Sequence, residues 1–566
     1  MAIADRITSI EEHIKESYQE LEGLGIDTTG VNNNLENIPK LIDGYWETLP
    51  KVTGEGNSIT LDNTKEGKMK IELKGNTSQE GTPTPETPQD IHVVSGDNSI
   101  EVCGKNFFNA SAIENANISV SNNGATIVLP TSSAGGNAVS AGATLRQLAP
   151  NLKVGETYKI LINSTSSSKV YIYVGETWIN NNSKTITENM LNASVYFYGE
   201  SNTTTTITNM MIIKSSTTDT TYEAYKGASY PITLPDGMFL GWIPNTDYRD
   251  KIDKSSGKNL LDLNRTLGQP SDTTAVNTTK RLFNYNEVVK GISGTNYYYP
   301  QFISSYSIEN QTISITTGAT ATYGLGFPIK IKANTTYTMS FDKSSANGRV
   351  QVSYYASDGT HINYEVKSVS FTFTTPSNCD FILINFTGIE TNTTYIFTNC
   401  RLNEGTTALP YEPYGTGWYV KKEIGKVVLD ENISMDYNGT AGKFYKENQN
   451  ICPNYKSNTS MLSNYLLYSS TTWVKNCFGI TASNIFWLYI ENGPTSLADL
   501  RTWLSNHNIT IYFVLNTPTY TEITDSTLIS QLNALAKSYN SQTNISQENN
   551  DMPFELNVEA LKTFTE

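Results

Sequence analysis

Gly257-Lys258-Asn259-Leu260-Leu261-Asp262 opens a stretch that closes with Thr398-Asn399-Cys400 and then Tyr411-Glu412-Pro413-Tyr414-Gly415. An earlier version of it opens with Gly104-Lys105-Asn106-Phe107-Phe108-Asn109 and closes with Thr208-Asn209-Met210 and Tyr222-Glu223-Ala224-Tyr225-Lys226-Gly227. Between the ends, Tyr158, Ile160 and Ile162 match Tyr337, Met339 and Phe341 at an offset of 179, and Val170 and Ile172 match Val350 and Val352 at 180. Residues 104–227 and 257–415 are therefore two copies of one fold.

Both copies alternate apolar and polar residues with a period of two, as half-buried strands do. Val369, Phe371 and Phe373 share one face, while Ser370, Thr372 and Thr374 share the other. Short strands separated by Asn, Gly, Ser and Thr turns, with no helical stretch between them, predict a β-sandwich for each copy.

Outward from the repeats, the pieces at the two seams are strand-like and too short to hold a core alone. The economical expectation is a β-rich scaffold, made of residues 51–103, 228–256 and 416–566, with modules 104–227 and 257–415 inserted into its loops. Beads on a string is the simpler alternative. Residues 81–88 carry three prolines and predict an extended connector. The 416–566 part mixes classes. Ser or Thr caps a helix bearing Leu497, Leu500, Trp503 and Leu504, and Thr524 or Asp525 caps another bearing Leu528, Ile529, Leu532 and Leu535. Phe554, Leu556 and Val558 alternate as in a strand.

Residues 1–50 are helical by pattern. Ile3, Ile7, Ile10, Ile14 and Leu21 recur at alternating steps of four and three, with Ser17 the polar occupant of the stripe. That period fits a coiled-coil-like oligomerisation seam, dimeric or trimeric, and equally an amphipathic helix packed on its own domain. A second helical stretch, from Leu35 to about Leu49, would pack back on the first. The fold class expected is mainly β, with this helical segment at the front and an α+β part at the end.

The chain has 566 residues, 38% hydrophobic and 17% charged, with a net charge of -15. Such an acidic balance, with a pI near 4.9, argues against long contacts with nucleic acid and against attraction to polyanions or anionic lipid. Cys103, Cys379, Cys400, Cys452 and Cys477 are odd in number and lack CxxC spacing, so small buried hydrophobes are expected rather than a disulfide framework. Met1 runs straight into a polar helical pattern, so no cleavable signal is expected, and no apolar run suffices to cross a membrane.

Catalytic signatures are missing. His13, His92, His361 and His507 lie in four different segments, and no HExxH, Walker loop or GxSxG is present. Acid pairs such as Asp247 with Asp250 are open to a glycosidase role only if their spacing in space allows it. Aromatics are abundant instead, with 34 Tyr, 7 Trp and 19 Phe. A tyrosine joins a flat apolar ring to a hydroxyl, which matches the faces and rims of sugars. Candidate carbohydrate-binding residues are Tyr171, Tyr173, Trp178, Tyr196 and Tyr198 in the first copy, and Tyr297, Tyr298, Tyr299, Tyr354, Tyr355 and Tyr364 in the second. The alternative for each is a place in the core or a cross-strand pair. Trp473, Trp487 and Tyr489 are expected in the core.

The Gly-Lys-Asn-Leu-Leu opening and the ending formed by Asn399, Leu402, Glu404, Gly405, Thr406, Ala408 and Tyr411 to Tyr414 resemble the carbohydrate-binding jelly-roll modules of tail and baseplate proteins from phages of Gram-positive bacteria. The first copy departs from the pattern, keeping Asn209, Tyr222, Glu223 and Tyr225 without the Glu-Gly turn. Segments 49–56, 74–79, 423–430 with 495–499, and 518–525 are similar to such tail proteins as well. The resemblance implies a non-catalytic fibre, spike or baseplate-associated receptor-binding protein in the virion tail, made in the bacterial host cytoplasm. Its implied partners are host cell-wall or capsular glycan, other tail or baseplate proteins and two further copies in a homotrimer, with no nucleic acid and no membrane. No cofactor and no metal site is expected, although structural Ca²⁺ supported by loop oxygens is compatible with the composition. A purely structural spacer and a glycan depolymerase are the competing functions.

Overall fold

The computed structural model describes residues 14–15 and 17–19 and, with breaks of which 269–295 is the longest, residues 50–563. Among these, Ile14 is helical and half-buried. Ile3, Ile7, Ile10, Leu21 and the helical stretch from Leu35 lie outside the described residues, as do Tyr298, Tyr299 and Trp473. The protein is mainly β, with mostly antiparallel sheets.

Two compact units are present, one of Met1–Ile71, Ser95–Met238 and Ser530–Glu566, the other of Glu72–Val94 and Phe239–Ile529. Residues 416–529 and 530–566 of the expected scaffold fall in different units. Its last strands find their partners elsewhere in sequence: Gln542–Gln547 pairs with Ser58–Asp62 and with Asp97–Cys103, and Glu555–Lys562 pairs with Lys51–Gly56. The buried faces explain the attachment, since Phe554, Leu556 and Val558 are each fully enclosed.

In the first unit, residues 104–227 build two sheets on one core. A five-stranded sheet runs Ser183–Thr185, Thr157–Ser164, Thr205–Lys214, Thr126–Leu129, Ser119–Ser121. A four-stranded sheet runs Thr177–Ile179, Tyr171–Tyr173, Ser194–Tyr198, Ala138–Thr144. Ile127, Tyr158, Ile160 and Ile212 of one sheet and Ala141, Val195 and Phe197 of the other belong to the same apolar cluster.

The second unit repeats this plan. Its six-stranded sheet runs Leu267–Gly268, Asn296–Tyr297, Leu325–Lys330, Phe381–Gly388, Gly348–Tyr355, His361–Lys367. Its five-stranded sheet runs Ile303–Glu309, Thr312–Thr317, Thr394–Glu404, Thr336–Lys343, Phe371–Thr374. Val350, Val352, Ile384 and Phe386 meet Tyr337, Met339, Phe397 and Leu402 in one cluster.

The duplicated motifs have identifiable structural work. Asn106 and Asn259 are 1% and 2% exposed. Asn259 donates to the Glu412 carbonyl at 2.9 Å and accepts from Leu261 N–H at 3.0 Å and Leu402 N–H at 3.1 Å. Asn106 does the same with the Glu223 carbonyl at 3.0 Å, Phe108 N–H at 2.9 Å and Ile212 N–H at 3.2 Å. Each module's opening is thereby clamped to its closing motif. The Thr-Asn pairs place Asn209 and Asn399 in the left-handed region, at φ 54° and 53°. Asparagine tolerates that region better than most residues. Opposite each, the partner strand shifts register, between Leu161 and Asn163 and between Ser340 and Asp342, so both copies carry a matched bulge.

The rest of the second unit holds a five-stranded sheet through Lys443–Glu447, Ile485–Tyr489 and Cys477–Ile480. Helix Leu497–Leu504 is capped by Ser496, whose side chain accepts from Asp499 N–H, and it buries Leu500 and Leu504. Trp487 is fully enclosed, whereas Tyr489 is half-buried. Asp525 caps helix Ser526–Leu535 through a 2.7 Å bond from Leu528 N–H. All five cysteines are free and buried.

Candidate functional site

Gly348–Tyr355 lies between His361–Lys367 and Phe381–Gly388 in the second module. Val350, Val352 and Tyr354 join the core. Strand alternation therefore sends Gln351, Ser353 and Tyr355 to the opposite face. Register brings Tyr364 and Leu383 beside Ser353, Val366 and Asn385 beside Gln351, and His361 and Phe381 beside Tyr355. One end of this face is aromatic, with Tyr355 stacked on Phe381 at 5.0 Å and edge-on to His361 at 5.3 Å.

The other end is polar. Gln351 Nε2 donates to Ser353 Oγ at 2.9 Å. Asn385 is 2% exposed, and its side-chain oxygen has no hydrogen-bond partner among the described residues. A buried amide oxygen left without a donor is costly and calls for an explanation. Beside these groups the ring of Tyr364 is 51% exposed. Gln351 and Ser353 are buried like Asn385, so the Tyr364 ring is the part of this face that a flat-faced, hydroxylated ligand would meet first, with the amides beneath it.

Of the eleven aromatic candidates, Tyr364 is the one on this face that is open to solvent. Tyr354 and Tyr355, each 2% exposed, are corrected to buried roles, Tyr354 in the core and Tyr355 on the opposite face against Phe381 and His361. Tyr354 packs on Phe373 and donates to Glu365 Oε1 at 2.7 Å. Burial, with that carboxylate, pushes its phenol far up, so it stays a neutral donor. Tyr196 and Tyr198 are half-buried on Ser194–Tyr198, where register pairs Tyr196 with Tyr173. Tyr171 and Trp178 stand on the neighbouring strands, and Tyr297 pairs with Gly326. Gln351, Ser353 and Asn385 went unnoticed in the sequence. Their signal was available as polar residues alternating with Val350, Val352, Ile384 and Phe386.

Asp250 cannot act with Asp247 as a catalytic pair. It is fully enclosed, one oxygen accepting from Glu423 and Ile424 N–H at 2.7 and 3.0 Å, the other from Gly241 N–H at 2.8 Å and from the Lys422 ammonium. Glu412 is likewise engaged, accepting from Ser256 and Lys258 N–H at 2.8 and 2.7 Å and pairing with Arg401 at 3.2 Å. Among the described residues, no three His, Cys, Asp or Glu side chains gather as metal ligands would, and no helix is long and apolar enough to cross a membrane.

No family model matches this chain, and no curated protein matches it. Among solved structures it is similar to an accessory secretory protein 1, 2 and 3 structure from Streptococcus pneumoniae, at 12% identity over 19% of this chain and 89% of that one, with a TM-score of 0.17. A structure described as "CBM4 structure and function" is 18% identical over 20% of this chain and 86% of its own, TM-score 0.16. The VP2 subviral particle of infectious bursal disease virus is 8% identical over 91% and 82%, TM-score 0.13. Likenesses this distant carry no argument about function.

Proposed function

We propose that the protein is a non-catalytic adhesin of a phage tail, a fibre, spike or baseplate-associated component of the virion, that binds host cell-wall or capsular glycan. In this reading residues 104–227 and 257–415 are jelly-roll, carbohydrate-binding-module-like insertions on a β scaffold, and the helical N-terminal segment joins three copies. The motif resemblance in residues 257–415 supports the tail assignment. The observation that carries glycan binding is the half-open Tyr364 ring beside Gln351, Ser353 and the unpartnered Asn385 oxygen. Sugars are bound by this combination of an aromatic platform and fixed amides. Three copies would turn weak sites into avid attachment.

The test is retention of the full chain on host cell walls and on a glycan array, compared with Tyr364→Ala and Asn385→Leu. Loss of retention in both variants supports the sheet face. Wild-type protein that binds no wall or glycan sinks the adhesin reading.

A spacer role has its own support, because Asn259 and Glu412 of the closing motif are used to hold the module shut. Mass and co-assembly measurements with other tail components distinguish it. A depolymerase would release reducing ends from host polysaccharide, and none are expected.

A further inference from the structure

A cleft of about 930 Å³ opens in the first module, and none of its lining residues carries a charge. That is notable in a chain of net charge -15. One wall is the turn Asn122-Asn123-Gly124, whose three residues are left-handed at φ 53°, 54° and 84°. The turn is fixed by Gly124 N–H on the Ser121 carbonyl at 3.1 Å and Ala125 N–H on the Asn122 carbonyl at 3.0 Å. Asn122 Nδ2 donates to Thr126 Oγ1 at 3.1 Å, and the Asn123 amide projects exposed, with no bond among the described residues. The facing wall comes from the closing motif. Tyr225 is held by its 2.8 Å bond to Asn151 Oδ1, whereas half-buried Tyr222 has a hydroxyl with no such partner.

The second copy uses the same motif position differently. Tyr411, which matches Tyr222, is half-buried too, but its hydroxyl is enclosed and its ring packs edge-on against Tyr520 at 4.9 Å. Two copies of one sequence motif thus place one ring against protein and the other in a cleft.

We propose that this cleft is a second saccharide site, distinct from the sheet face of the other module, and that it takes an uncharged sugar unit. The Tyr222 ring supplies an apolar platform, and the Asn123 amide and Tyr222 hydroxyl supply donors and acceptors for hydroxyl or acetamido groups. No lining cation is present to offset the desolvation of a phosphate or carboxylate, so anionic units are rejected. The ligand class rests on the adhesive reading, but the residues are separate. The experiment can therefore fail one proposal without failing the other.

The test is calorimetric titration of the full chain with neutral probes (chitotriose, maltotriose and lactose) and with an anionic one, trigalacturonate. At least one neutral probe is expected to bind, insensitively to salt. Its affinity should fall about tenfold in Tyr222→Ala and less in Tyr222→Phe. Asn123→Gly, which keeps a left-handed turn, should also weaken it. If Tyr222→Ala fails to fold, the other two variants decide. The proposal is overturned if no neutral probe binds, if trigalacturonate binds as well as the neutral probes, or if folded cleft variants bind like wild type. Binding lost in Asn385→Leu and kept in the cleft variants leaves the sheet face standing and the cleft refuted. The reverse pattern keeps the cleft and refutes the sheet face.

Discussion

The backbone N–H of Lys332 donates to the hydroxyl of Tyr337 at 3.0 Å, five residues on, and Lys153 and Tyr158 make the same bond at 3.2 Å. The hydroxyl returns to pin the turn that precedes its own strand, as a tyrosine corner does in other sandwiches. A third case joins Glu390 N–H to Tyr395 at 3.1 Å. Tyr337→Phe removes the acceptor while leaving the ring packed. It should cost about 1–2 kcal/mol, read as an earlier denaturant midpoint for the second module, with Tyr395→Phe behaving alike.

Asn259→Leu should cost more. It leaves Leu261 and Leu402 N–H without the acceptor that each uses now, at about 1–3 kcal/mol per buried group. Hydrogen exchange at those two amides should accelerate, and Asn106→Leu should do the same at Phe108 and Ile212.

Glu156 gives the first module an acid limit. Burial pushes its carboxyl up, but the Tyr158 hydroxyl, the Lys214 ammonium and the Ser58 hydroxyl outweigh that and hold it below the usual carboxylate range. A depressed folded value stabilises above the unfolded carboxylate pKa of about 4.3, and the benefit disappears as pH falls through the folded value. Melting temperature should therefore drop on acidification below about pH 4. Glu156→Gln should lower the neutral-pH melting temperature and flatten that slope.

Asp250 and Lys422 form an enclosed ion pair, and Lys422 also donates to the Phe239 carbonyl at 2.7 Å. Lys422→Met leaves the carboxylate without its cation and should destabilise the second unit by about 3–5 kcal/mol. Adding Asp250→Asn should recover part of that loss. A double-mutant cycle in urea measures the coupling.

The period-two pattern exposed the strands of both modules, because a buried face forces alternation on each strand. The constant offset of 179 located residues that now share a corner, Tyr158 and Tyr337, and a bulge, Leu161 and Ser340. Helix caps at Ser496 and Asp525 were legible for the same reason, since capping is local chemistry. The proposed binding face was legible only in part. Tyr354 and Tyr355 were both expected as candidates, yet adjacent residues on a strand point to opposite sides. Tyr355 is nonetheless enclosed by Phe381 and His361, a tertiary fact that no spacing encodes. The motif asparagines marked the family resemblance without revealing that their role is closure, because their partners lie more than a hundred residues away.

The clamp between opening and closing motifs has a consequence beyond stability. Ser255 N–H reaches the Gly417 carbonyl at 3.0 Å, and Gly104 N–H reaches the Lys226 carbonyl at 2.8 Å, so each module leaves its host sheet and rejoins it at a single point. A domain whose two chain ends meet side by side can be moved as one insert. A graft cut at Gly104/Lys226 would meet closely spaced chain ends, and it would also have to keep the Ser58–Glu156, Asn151–Glu101 and Lys153–Gln547 bonds through which the first module touches the strands around it.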